Sequence, residues 1–392
     1  MASTGIPGIL CKGVMYVKQK ILLLTLCMSF LLGGCGWVNQ SYVSVEPHRE
    51  QRQNQQTDAI IASDYLELLG ALEDMIASGT EVAAIKVPEY PEDRLEYGIY
   101  RAVRHSLQND PIGSYAVEDI LYELVSSSGV PAISVNIVYR HNRSEIQRIR
   151  KAADTQAAEQ IVAEALKGYE PGIVILVDSY TSRDFSQFVQ DYAEENPQTV
   201  MEIPQVSQSS YGTGRDRVLE LIFTYQTSRD SLRRMQTEVK PVFDAASLYV
   251  SGEGEDFQKF SQLYSFLTER FDYKFETSIT PSYSLLRHGV GDSRAFATVY
   301  AAMCRSAGLE CMTVTGTRSG EPWTWNIVLD DGIYYHVDLL RSNAGGQFRE
   351  YMDTEMESYV WDYSDYPACA GTQTEQLPEN LTVPQETEKE KN

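Results

Sequence analysis

Apolar positions along this chain fall into three regimes. Near the N-terminus a largely apolar run over residues 21–32 follows Lys12, Lys18 and Lys20. It is too short to span a bilayer comfortably and has the charge pattern of an export signal. In the middle, Ile133, Val135 and Ile137 alternate with Ser134, Asn136 and Val138, and Leu219, Leu221 and Phe223 repeat the pattern. Each predicts a strand with one apolar face, and the wholly apolar run 173–177 predicts a buried one. In the last third, Phe257, Phe260, Tyr264 and Leu267 recur at helical spacing. A glycine-bearing loop then runs into a second helix with Ser293 in its first turn, and Gly308 stops it. Strands are expected at 311–315, 325–329 and 333–339, the last two joined through a hairpin turn at Asp330-Asp331-Gly332.

The middle region also repeats itself. Val103 and Pro111 recur as Val189 and Pro197, and Tyr139, Arg143 and Arg148 as Tyr225, Arg229 and Arg234, each pair 86 residues apart. After each strand comes a tyrosine, a short polar turn and a charged amphipathic helix, with Ser144 and Asp230 as the expected N-caps. Two α+β units over 58–255 follow, each reading helix, Asn/Asp-Pro turn, loop, strand, helix. No catalytic side chains cluster there, so these units read as scaffold or binding modules.

Composition narrows the functional classes. The 392 residues are 43% hydrophobic, enough for two or three domains with real cores. A net charge of -22 argues against nucleic acid as a partner and against a basic membrane-binding face. Of six cysteines, Cys11, Cys27 and Cys35 are N-terminal, leaving Cys304, Cys311 and Cys369 in the body. Three is odd, so there is no disulfide framework, although one bridge among them stays open. With no CxxC pair and five scattered histidines, no metal site and no cofactor are expected.

The apolar run ends in Leu32-Gly33-Gly34-Cys35, which resembles the bacterial lipobox. That resemblance implies a signal peptide over 1–34, cleavage before Cys35 and a diacylglycerol on its thiol. The body would then be extracytoplasmic, lipid-anchored to a bacterial cell membrane. Residues 35–57 are polar and fit a tether, and 371–392 fit a disordered acidic tail.

A family resemblance rests on three short motifs. These are Gly291-Asp292-Ser293 opening a helix, Trp323-Thr324-Trp325-Asn326 thirty residues on, and Tyr334-Tyr335-His336-Val337-Asp338 fifteen beyond that. In order and spacing they resemble the core of the transglutaminase-like superfamily, over about residues 256–370. The closing Trp361-Asp362 and Tyr366-Pro367-Ala368-Cys369 resemble bacterial lipoprotein members. The implied fold is α+β, a papain-like core behind the tandem repeat region. The implied triad positions are Ser293, Trp323 and Asp338, where the family has cysteine, histidine and aspartate.

Two of those three positions have lost the residue that carries chemistry, and Asp338 alone is kept. A cysteine works there because a helix N-terminus and an imidazole lower its pKa, while the aspartate orients the imidazole. A helix dipole worth ~0.3–1 kcal/mol cannot ionise a serine hydroxyl near neutral pH. Trp323 has no basic nitrogen. His336, two residues before Asp338 and on the same side of a strand, is the alternative base for a Ser293 hydrolase or acyltransferase. The leading expectation is a degenerate domain, a pseudoenzyme. Its aromatic, acidic groove, with Asp292, Trp325 and Tyr335, would bind an envelope protein, a peptide or a glycan.

Overall fold

The computed structural model describes residues 60–127, 129–250, 254–341 and 347–370. The chain divides into two compact units after Asp58, and every described residue lies in the second. The expected signal peptide, Cys35, the tether and the acidic tail fall outside the described residues. Among those described, no helix is long and apolar enough to cross a membrane.

The first repeat runs β1 (Ile60–Ile61), α1 (Tyr65–Ser78), β2 (Val82–Lys86), α2 (Glu92–Gln108), α3 (Pro111–Ala116), β3 (Val117–Ser127), β4 (Val130–Tyr139) and α4 (Arg143–Ile146). The second runs β5 (Arg150–Ala152), α5 (Thr155–Lys167), β6 (Gly172–Val177), α6 (Phe185–Glu195), β7 (Gln205–Tyr211), β8 (Arg217–Thr224) and α7 (Arg229–Tyr249). Both build a four-stranded sheet of the same order, β1-β2-β4-β3 and β5-β6-β8-β7. In each, the first pair is parallel and the other two are antiparallel. Register also shows where the spacing changes. Ile133 faces Ile85 and Leu219 faces Ile175, so β4 and β8 keep the 86-residue offset while β2 and β6 lie 90 apart.

Local chemistry explains the helix starts. Asp64, Asp154 and Asp184 cap α1, α5 and α6 by accepting first-turn backbone N–H groups. The expected caps at Ser144 and Asp230 are corrected by two residues. Asn142 makes a capping box with Glu145, and Ser228 accepts from the Ser231 N–H. In both cases the earlier residue holds an extended backbone from which its side chain reaches back into the turn. The helix expected after the first strand is only the single turn α4, because the chain must reach β5 at Arg150. Its counterpart α7 has 21 residues and packs Leu232, Val239 and Phe243 into the core of the C-terminal region.

That region runs α8 (Asp256–Thr268), β9 (Asp272–Tyr273), α9 (Pro281–His288), β10 (Val290–Gly291), α10 (Ser293–Ser306), β11 (Cys311–Arg318), β12 (Glu321–Asp330), β13 (Ile333–Val337) and β14 (Tyr359–Val360). Strands β11 to β13 form an antiparallel meander. Its last hairpin turns on Asp331 (φ 47°) and Gly332 (φ 80°), the left-handed pair a two-residue turn requires. One face of this sheet packs on α10, whose residues Phe296, Val299 and Met303 are buried beside Val328 and Val337. The other face, with Val314, Trp325 and Ile327, is covered by the chain after Phe348, through Tyr351, Met356, Tyr359, Trp361 and Cys369. The sheet is thus the middle layer of an α+β sandwich. Cys304, Cys311 and Cys369 are buried free thiols, so no bridge links them.

Candidate functional site

Ser293 is the first residue of α10, as the pattern predicts. Asp292 before it is the N-cap, its carboxylate accepting from the Ala295 N–H at 2.9 Å. The helix is pinned to the sheet by Asn326, whose Nδ2 donates to the Ala297 carbonyl at 2.9 Å. Beside that rivet the Thr324 N–H donates to Ser293 Oγ at 3.3 Å. The serine is buried at 8% exposure, so its hydroxyl has a fixed address.

Trp323 and Asp338 come together across the sheet. The Trp323 indole N–H donates to Asp338 Oδ2 at 3.0 Å. The same oxygen accepts from the Tyr359 hydroxyl at 2.6 Å and from Arg318 Nη1 at 3.3 Å, while Oδ1 accepts from the Leu340 N–H at 2.9 Å. Four donors therefore hold one carboxylate that is 2% exposed. Burial, then the Asp338 charge, pushes the Tyr359 phenol far above its ordinary pKa, so it stays a donor. Arg318 also lies 5.0 Å over the Trp323 ring and 5.5 Å over Tyr359.

The indole thus takes the aspartate's hydrogen bond, the one that would otherwise orient an imidazole. An indole is a donor only. It can satisfy Asp338 but cannot take a proton from Ser293. Among the described residues, no ring nitrogen or carboxylate hydrogen-bonds the Ser293 hydroxyl.

His336, the alternative base, is committed elsewhere. It is fully buried, its Nδ1 accepts from the Trp325 indole at 3.0 Å, and its Nε2 lies 2.9 Å from Asp353 Oδ1. Since Trp325 can only donate, Nδ1 carries no proton and Nε2–H donates to Asp353. Burial lowers the pKa of His336 despite Asp353, so the ring is neutral. What this corrects is the reach of His336 to Ser293, since the ring is spent on Trp325 and Asp353. β13 ends at Val337, and Asp338 just beyond it is held by Tyr359 and Arg318. His288 sits exposed at the end of α9 against Tyr283.

His336, Asp353 and Cys369 bring three potential ligand atoms within 4.8 Å of one another. A divalent cation does not suit them. Its nitrogen ligand would have to be Nε2, whose proton the Trp325 hydrogen bond requires, so binding would demand an imidazolate. The cluster is a structural clasp, completed by the Cys369 N–H on Asp353 Oδ2 at 3.1 Å.

A cleft of about 540 Å³ opens over the site. Tyr273, Phe275, Pro322, Trp323, Asp292 and Ser293 are among its walls, with the Tyr273 and Trp323 ring centroids 5.6 Å apart. Trp325 and Tyr335, expected in the pocket, are not among its walls. Trp325 is fully buried against Tyr359 and Trp361, and Tyr335 is on the opposite face, packed toward the α10 core. The sequence reading missed Tyr273, Phe275, Arg318 and Tyr359. Tyr273 ends the two-residue strand β9 and Phe275 follows it in a loop, both too short to show a pattern, and the other two converge only through sheet pairing.

Residues 244–343 match the family model of the transglutaminase-like superfamily, so the chain carries a transglutaminase-like domain. Three solved structures share features at low similarity. One is a TGase, at 10% identity over 57% of this chain and 64% of that one, with a TM-score of 0.26. The second is a candidate cysteine protease from Cytophaga hutchinsonii, at 15% identity over 38% and 65%, TM-score 0.24. The third is a candidate protease from Parabacteroides distasonis ATCC 8503, at 10% identity over 69% and 44%, TM-score 0.22. This chain spans less than two thirds of each of them. No curated protein matches the sequence.

Proposed function

We propose that this transglutaminase-like domain is catalytically degenerate and serves as a binding or scaffolding module at the bacterial envelope, anchored through a lipid on Cys35. The observation that carries the reading is the Trp323 indole N–H on Asp338. It satisfies the orienting carboxylate with a group that cannot act as a base, beside a hydroxyl that needs one. What remains is an aromatic-walled cleft at a helix N-terminus, suited to hold an envelope protein, a peptide or a glycan rather than to cut one.

The test is an amine-incorporation assay and a serine-directed fluorophosphonate probe, both on the unmodified protein. The proposal expects neither incorporation nor labelling. Labelling of Ser293 that His336→Ala abolishes would establish the hydrolase reading instead. For the anchor, mass spectrometry of the membrane fraction should find a diacylglyceryl group on Cys35. A Cys35→Ala variant still held in that fraction as an intact chain would contradict it.

A further inference from the structure

A second groove lies away from the Ser293 cleft, between helix α6 and strand β11. We propose that it takes an extended peptide bearing lysine or arginine at alternate positions, added to the sheet as a strand on β11. Three observations support the inference.

The first is an open sheet edge. β12 pairs with β11 along its whole length, but on the other side β14 pairs only with Thr317 and Arg318. The Thr315 N–H turns away from β12 and reaches the Tyr366 hydroxyl at 3.4 Å, and the Ser319 N–H reaches the Ser358 carbonyl on that side. In an antiparallel ladder the direction alternates, so the Thr313 N–H and C=O also face the open side. The Cys311 carbonyl does too, and accepts from Arg305 Nη1 at 3.2 Å.

The second is the opposite wall. Phe185, Val189 and Ala193 of α6 are buried in the core of the second repeat. Its Gln187, Gln190, Asp191 and Glu194, at helical spacing, line the groove, which has a volume of about 820 Å³. A strand edge facing a helix across such a gap is the arrangement by which peptide-binding domains add a strand. Main-chain hydrogen bonds supply affinity and alternate side chains supply specificity.

The third is charge. Glu194 is answered by Arg294 at 2.5 Å. Arg305 is occupied by the carbonyls of Cys311 and Glu195. Among the described residues, Asp191, Glu195 and Asp365 line the groove with no cationic partner at ion-pair distance. An added strand whose side chains alternate toward α6 would therefore be selected for cationic residues. The chain's own tail, 371–392, has five glutamates against two lysines and has the wrong sign. The groove shares no lining residue with the Ser293 cleft, so the two are separate cavities.

The experiment is fluorescence anisotropy on the full chain with a fluorescein-labelled peptide of alternating lysine and valine. Two controls are the same peptide with glutamate for lysine, and one N-methylated at alternate backbone nitrogens. The lysine peptide should bind and both controls should not. The exposed pair Asp191→Lys with Glu195→Lys should weaken binding about tenfold or more. Equal binding of the N-methylated peptide would reduce the effect to charge adhesion and overturn strand addition. No binding of the lysine peptide, no effect of the double variant, or a dimer of the chain that the peptide cannot displace would each overturn the proposal as well.

Discussion

Asp338 is the side chain on which the candidate site converges. An orienting aspartate in an active triad serves one imidazole, whereas here the side chain serves Trp323, Tyr359, Arg318 and the Leu340 backbone. Asp338→Ala strands a half-buried guanidinium and three other donors and should cost roughly 1–3 kcal/mol of stability, read from urea unfolding. Asp338→Asn, which keeps the shape and one acceptor, should cost less. A neutral Asp338→Ala would mean the four contacts are incidental. The resemblance of three motifs to the transglutaminase-like core made Ser293, Trp323 and Asp338 legible in the sequence. Arg318 and Tyr359 were not legible. They reach Asp338 only because β11 and β14 pair, and no local pattern encodes that pairing.

Among the elements, the smallest ones matter most to the site. β14 has two residues, lies outside the 244–343 family match, and brings Tyr359 onto Asp338. Gly316 makes this possible, because a Cβ there would sit 2.2 Å from the Val360 carbonyl oxygen and 3.0 Å from the Trp325 ring. Gly316→Ala should therefore loosen the 347–370 segment without unfolding the repeats. Hydrogen exchange would show lost protection around Tyr359 with α1 and α5 unchanged, and unchanged protection at Tyr359 would contradict this. At the start of α10, Asp292→Ala should lower stability by about 1 kcal/mol through loss of the cap. The sequence reading found α8, α10 and strands β11 to β13 from their periodicity, but the stretch it expected as a loop before Ser293 contains helix α9 (Pro281–His288). It lacked β1 and β5, which are two and three residues long, too short to show a period. It also set two caps late, because several polar residues in each turn compete for that role.

Across the whole molecule, two repeats with identical strand order precede the transglutaminase-like domain, and α7 passes from one to the other. The repeat was legible only from α2 onward, where the 86-residue offset holds. The change to 90 hides the first two strands of each unit from a fixed-offset comparison. Stability of the whole should also carry a pH signature. Burial, then the charge of Asp330 and a hydrogen bond with it, raises the Glu350 carboxyl from 4.5 to about 7. A carboxyl raised in the folded state binds its proton more tightly there than in the unfolded chain, so stability falls as pH rises from about 4.5 through about 7. Glu350→Gln should melt higher than the parent above pH 7, and the difference should shrink below pH 4.5. A pH-independent difference would rule this origin out.

The measurement that tests the central claim most directly is the pH dependence of iodoacetamide alkylation at the nucleophile position. It compares Ser293→Cys with the double variant Ser293→Cys, Trp323→His. The claim is that the frame survives and the base is what is missing. The single variant should then titrate near the ordinary thiol value of about 8.5, and the double variant should react as a thiolate at least about one pH unit lower. A single variant already reactive near pH 6, or a double variant no different from it, would contradict the account.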